Sequence, residues 1–263
     1  MADFLLRPAT EGDREQIIKI WQEAFGDGEG FIEAMLSCGL MESAVGTEMD
    51  GALRCCMFAF DGLKIGGMPA AYLYALCTEK AYRGRGLGQA VTMYAAEAAL
   101  TRGAEAVFLR PGDEALERWY SDVLGAVPTA RGREQIFRPS LPAVKKAREL
   151  SPEEYLRLRP ARDWEPGARL MAAQGVVNRW YGGDFLEADG ALVCAEYSCG
   201  RVLVREMISD TPEDTLAAVA EYFNAEELYI LVSSGEGLPL MALPVGKAPP
   251  IPGATPLLPF TLD

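Results

Sequence analysis

The sequence predicts an α/β protein built around a mixed sheet, arranged as two consecutive modules. Three observations carry this prediction. Strand-like and helical segments alternate along the chain, turn dipeptides punctuate the apolar runs, and the order strand, strand, helix, strand occurs in both halves. At 263 residues the chain has room for two domains of roughly 100–150 residues each.

The elements follow in order. Phe4 to Arg7 starts a sheet, and Thr10-Glu11-Gly12-Asp13 offers a helix N-terminus with an acidic first turn. Ile17, Ile18, Trp21 and Phe25 recur at helical spacing and predict an amphipathic helix over 13–25. Asp50-Gly51 and Asp61-Gly62 each read as a two-residue hairpin turn, with Gly66-Gly67 as a further break. The run Ala70-Ala71-Tyr72-Leu73-Tyr74-Ala75-Leu76-Cys77 is apolar or aromatic throughout, as a central strand buried on both faces would be. Tyr82-Arg83-Gly84-Arg85-Gly86-Leu87-Gly88 opens a helix to about Arg102, with Ala90, Val91, Tyr94, Ala95 and Ala98 inward, and Gly103 stops it. A strand at 105–110, a helix at 113–124 and strand structure at 126–138 complete the first half. Pro139 and Pro142 beside Lys145-Lys146 mark a connector.

The second half repeats the order more weakly. Helices are predicted at 151–158 and 167–180. A hairpin at 184–198 and 201–208 follows, with Asp189-Gly190 and Cys199-Gly200 as turns. A helix at 212–224, with Thr211 as cap and Pro212 at its first position, leads to a strand from Leu228 to Val232. The proline-rich stretch 244–259 reads as extended or looped. The expected division is 1–139, a linker at 140–151, and 152–263.

Composition narrows the function. The net charge is −13, shared by both halves, so phosphate backbones and anionic lipid surfaces are repelled and no nucleic-acid or membrane partner is expected. Cationic partners such as amines suit the surface, although solubility alone also accounts for the charge. The chain has no histidine, which removes histidine triads, imidazole bases and most catalytic zinc sites, and no metal is expected. Cysteines 38, 55, 56, 77, 194 and 199 form no CxxC pair and read as small apolar residues in a reducing compartment. Met1 to Arg7 lacks a signal-peptide pattern and no run approaches 18 apolar residues, so a cytoplasmic protein is expected.

The informative segment is the strand–glycine loop–helix unit at 70–102. Glycines let a backbone approach a ligand closely, and successive N–H groups at a helix start form an anion cradle aligned with the helix dipole. Arg83 and Arg85 add local positive charge, so the loop suits a pyrophosphate. It is not a P-loop, because no Lys-Ser or Lys-Thr follows its glycines, and Gly84-x-Gly86-x-Gly88 is not the dinucleotide order G-x-G-x-x-G. A solvated turn using glycine for geometry is the bland alternative. Its position after a buried strand and before a long helix favours the ligand.

Arg83-x-x-Gly86-x-Gly88 resembles the hallmark Q/R-x-x-G-x-G/A of the GNAT superfamily of acyl-CoA-dependent N-acyltransferases, matching every specified position. Leu109-Arg110-Pro111-Gly112 and the run Ala115 to Ala126 resemble the downstream strand, helix and tyrosine segment, with Gly125-Ala126 in place of the usual Gly-Phe. The likeness covers roughly residues 4–138. A catalytic module followed by a degenerate GNAT-like one is similar to the Eis-type acetyltransferases, without their further C-terminal domain. Ser209-Asp210-Thr211-Pro212 stands where a second glycine cradle would be, so one CoA site per chain is expected.

The resemblance implies acetyl-CoA as acyl donor and direct attack by a primary amine, carried by a small molecule or a peptide and expected to be cationic. Leu76, Cys77 and Thr78 would meet the pantetheine arm through their backbone. Arg83, Gly84, Arg85, Gly86, Leu87, Gly88 and Gln89 would hold the pyrophosphate. Tyr120 would protonate the leaving thiolate, as a phenol can; packing beside Trp119 is its alternative role. Cys77 lacks a histidine partner to act as a nucleophile. For the general base a water chain, Asp27 or Glu29, and the chain-terminal carboxylate of Asp263 remain open. Trp21, Phe31, Tyr72 and Tyr74 are candidates for the acceptor cleft. A homo-oligomer is possible. A catalytically lapsed acyl-CoA sensor is the alternative function, and an interaction scaffold a third.

Overall fold

The computed structural model describes residues 3–140, 142–198, 200–234 and 236–245. The first half runs β1 (Leu5–Pro8), α1 (Arg14–Phe25), α2 (Glu29–Met35), β2 (Val45–Met49), β3 (Ala52–Ile65), β4 (Met68–Thr78), α3 (Leu87–Thr101), β5 (Ala106–Leu109), α4 (Glu114–Leu124) and β6 (Val127–Phe137). The second runs β7 (Arg148–Leu150), α5 (Pro152–Leu158), β8 (Trp164–Glu165), α6 (Ala168–Tyr181), β9 (Asp184–Ala188), β10 (Ala191–Ser198), β11 (Arg201–Ile208), α7 (Pro212–Tyr222), β12 (Leu228–Ser234) and β13 (Pro239–Ala242). Local chemistry sets several of the boundaries. The Asp113 side chain accepts a hydrogen bond from Leu116 N at 2.7 Å and caps α4. Ser151 and Glu154 form a reciprocal capping box at α5, with Pro152 at its first position.

One mixed sheet spans both halves in the order β1-β2-β3-β4-β5-β13-β6-β12-β11-β10-β9-β7, with β8 pairing β3 to one side. Each half contains one parallel pair closed by a helix: β4 with β5 through α3, and β11 with β12 through α7. The last strand of each half sits beside the fifth-strand equivalent of the other. β13 pairs antiparallel with β5, and β6 pairs antiparallel with β12. The halves therefore exchange strands across residues 139–151 and share one ladder.

Alternation places the two adjacent cysteines on opposite faces, as the sequence predicts. Cys56 packs with Phe58, Phe60, Trp21 and α6, whereas Cys55 packs with Met57, Ala59 and α3. The first of these cores continues into α5, α6 and β10, so a single apolar cluster joins the two halves. Among the described residues no helix is long and apolar enough to cross a membrane.

Several expectations are corrected. Asp61-Gly62 is not a hairpin turn: β3 runs through it, and the register against β4 shifts between Phe60 and Leu63, a bulge that lets one long strand bend. The turn lies at Gly66-Gly67. Helix α2, strand β8 and strand β13 carry no strong local pattern and were not expected. The end of the predicted linker forms β7 against β9. The buried stripe of α3 is Leu87, Val91, Thr92, Ala95, Ala96 and Ala99, and the predicted Ala90, Tyr94 and Ala98 are only half-buried beside it. Phe25 is 53 % exposed and not in the core.

Candidate active site

The site begins where β4 and β5 part. Their ladder joins Ala70 to Ala106, Ala71 to Val107 and Tyr72 to Phe108, and stops there. Just beyond, β4 bulges against β3: Cys56 faces Cys77 and Phe58 faces Tyr74, leaving Ala75 and Leu76 opposite Met57 alone. Ala75 takes φ 51°, a left-handed conformation that costs of order 1–3 kcal/mol in a non-glycine residue. The bulge tilts the strand away from β5 and leaves its 73–78 edge unpaired on that side. An extended ligand can pair with such an edge as a strand would.

The glycine loop adjoins the end of this edge. Arg83 Nε donates to the Thr78 carbonyl at 3.0 Å, fastening the loop to β4. The Arg85 guanidinium lies 4.8 Å from the centre of the Tyr82 ring and donates to the Ala81 carbonyl. Gly84 and Gly86 have φ of 75° and 81°, which side chains resist, and a Cβ on either would point into open space. Gly86 is the N-cap of α3 and supplies no side-chain acceptor. The backbone N–H groups at the helix start thus point outward with the positive end of the dipole, without intrahelical partners. A methyl group on Gly88 would stand 3.7 Å from Leu76 and 3.9 Å from Trp119, so cradle, β4 edge and α4 meet there.

A cavity of about 540 Å³ opens from the same cleft. The first half contributes Trp21, Phe25, Asp27, Phe31, the β4 residues 72–76, Leu109 to Gly112, Leu116 and Tyr120; the second contributes Val177, Tyr181 and Glu196. Tyr120 is 5 % exposed and stacks edge-on against Trp119 at 5.1 Å. Burial, reinforced by the neighbouring Cys55 and Cys77 thiols, pushes its pKa up to about 12. The Asp27 carboxylate accepts from Trp21 Nε1 at 2.7 Å and from the Tyr181 hydroxyl at 3.5 Å. Burial, then the nearby Asp27 charge, raises the Tyr181 phenol above its ordinary range.

Most sequence-predicted residues converge here. Leu76 lines the cavity, Thr78 and residues 83–89 form the loop beside it, and Tyr120 faces in from α4. All four aromatic candidates, Trp21, Phe31, Tyr72 and Tyr74, are on the wall. Cys77 differs: its side chain is fully buried in the core behind the cavity wall, and burial raises its thiol pKa well above the ordinary range, which argues against it as a nucleophile and leaves its backbone to the site. Glu29 is exposed at the start of α2 and is absent from the cavity wall, a correction to its candidacy as base. Asp263 lies outside the described residues. Tyr181 and Glu196 were missed, because nothing in their local sequence ties α6 or β10 to a cleft in the other half.

Residues 41–126 match the acetyltransferase (GNAT) family model. No curated protein matches the sequence. Among solved structures, the chain is similar to a GCN5-related N-acetyltransferase from Kribbella flavida, with TM-score 0.66 and 16 % identity over 92 % of this chain and 70 % of that one. It is similar to Eis1 from Mycobacterium abscessus, with TM-score 0.64 and 12 % identity over 92 % and 73 % of the two chains. A GCN5-related N-acetyltransferase from Anabaena variabilis aligns with TM-score 0.67 and 10 % identity over 91 % and 72 %. The fold is thus a mixed α/β GNAT fold extended by a second half, as the sequence resemblance implies.

Proposed function

We propose that this protein is an acyl-CoA-dependent N-acyltransferase that moves an acetyl group from acetyl-CoA to a primary amine bound in the inter-half cavity. The observation that carries this reading is a single cleft holding a row of outward N–H groups, an unpaired strand edge and a buried tyrosine. The N–H groups of residues 84–89, with the helix dipole behind them, suit a pyrophosphate. The 76–78 backbone suits the amide-bearing arm. The thioester then comes to lie where β4 and β5 diverge, beside Tyr120.

Acetyl-CoA supplies the acyl group as a thioester. Asp27 and the aromatic wall hold the acceptor's ammonium, and Asp27, directly or through water, accepts the proton that must leave before nitrogen can attack. The new C–N bond forms as the C–S bond breaks. Tyr120 delivers its phenolic proton to the departing sulfur and regains one from solvent. The second half completes the acceptor wall, and the acidic surface steers cationic acceptors toward it.

The test is a thermal-shift titration with acetyl-CoA, CoA and adenosine diphosphate, followed by amine turnover. A ligand at about 100 times its Kd stabilises the fold by about 2.7 kcal/mol, a shift of several degrees. Shifts with both CoA species support the cradle, and no shift at saturation refutes it. Binding without turnover of any amine would favour the sensor.

A further inference from the structure

Glu196 is a buried carboxylate of the second half, ion-paired with Arg205 on the neighbouring strand β11, that also reaches the cavity. It sits on β10 with 5 % of its surface exposed, yet it forms part of the cavity wall. Its Oε2 accepts from Arg205 Nε at 2.9 Å, and its Oε1 accepts from Gln174 Nε2 at 2.7 Å. Gln174 Nε2 also donates to Asn178 at 2.8 Å. Beside this carboxylate the Gln174 Oε1 atom is fully buried and has no hydrogen-bond partner. Buried ion pairs rarely stabilise a core better than apolar residues of the same volume, and an unmet buried acceptor adds to the cost. A carboxylate oxygen accepts two hydrogen bonds, so Oε1 keeps one lone pair unused.

The wall that holds Tyr120 and Glu196 is rich in aromatic rings, among them Trp21, Phe31, Tyr72, Tyr74 and Tyr181. Aromatic faces and carboxylates together select cations. Among the described residues the one guanidinium on the wall is that of Arg110, which directly follows β5 and is itself engaged. The cavity thus has a reactive end from the first half and an acceptor-only carboxylate from the second.

We propose that Glu196 is a specificity-determining residue that binds a second ammonium group on the acceptor, so that the preferred acceptors are diamines rather than simple monoamines. This rests on the acyltransferase reading above. Arg205 and Gln174 act as positioning residues that hold the carboxylate to the wall.

The experiment compares acetyl transfer to 1,5-diaminopentane and to pentylamine. The wild type is expected to favour the diamine at least tenfold in kcat/KM. In Glu196→Gln that preference should fall to within twofold through the diamine's KM, and Glu196→Asp should restore part of it. Equal use of the two amines by the wild type, or an unchanged preference in a folded Glu196→Gln, overturns the proposal; the first comparison stands even if the variant does not fold. If neither amine is acetylated, the acyltransferase reading is judged separately by the acetyl-CoA titration above. Calorimetric binding of the diamine then decides the Glu196 question: binding lost in Glu196→Gln upholds it, and absent or equal binding refutes it.

Discussion

Tyr120 belongs both to the core and to the wall of the cavity. The sequence offered packing beside Trp119 and proton donation as alternatives, and the ring does pack there while facing the cavity. A phenol with pKa about 12 keeps its proton across the ordinary working range, so Tyr120 cannot produce an alkaline fall in activity near neutrality. Tyr120→Phe is expected to lower kcat about 10²-fold, the low end for general acid catalysis, with acetyl-CoA affinity unchanged. Equal kcat in the two enzymes would remove the role. The same raised value has a stability consequence. The folded phenol titrates above its unfolded value of about 10, so it stabilises the fold below that pH, and the contribution is lost as pH rises toward 12. Denaturant titrations from about pH 9 to 12 should therefore show a steeper loss in the wild type than in Tyr120→Phe.

At the scale of elements, the glycine loop was the most legible part of the candidate site, because its conformation rests on backbone geometry that a local motif encodes. Gly86 carries φ 81° and caps α3 without a side chain. Gly86→Glu should leave the fold intact, since its Cβ meets nothing within 4 Å, but should add strain and a negative charge at the cradle. The expected result is a rise of at least tenfold in the Kd for CoA, about 1.4 kcal/mol, measured by calorimetry. Unchanged affinity would mean that the loop holds no phosphate. The β4 bulge was invisible in the sequence. Ala75 in a left-handed conformation follows from the mismatch of two strands, and no propensity of alanine announces it. Asp61-Gly62 failed in the opposite sense: a strong hairpin signal was overridden because β3 pairs on through it with β4 and contacts the second half through β8.

At the scale of the molecule, the exchange of β6 and β13 makes the halves interdependent. Met241 is fully buried between Leu109 and Pro128, joining a strand of the second half to two of the first. Met241→Ala should cost about 2–5 kcal/mol and shift a single cooperative denaturation, because the core under β13 is common to both halves. Two separated transitions, with only one moved, would show that the halves fold independently. The sequence by itself determined the fold class, most of the element order, the glycine loop at the start of α3 and the place of Tyr120 on the following helix, since all of these rest on local periodicity, turn chemistry and a contiguous motif. Only the tertiary structure decided the strand exchange, the β4–β5 opening and the meeting of Asp27, Tyr181 and Glu196 on one cavity wall. Those depend on pairings and burial between separate elements, some more than 100 positions apart in the chain, which no local window of sequence contains.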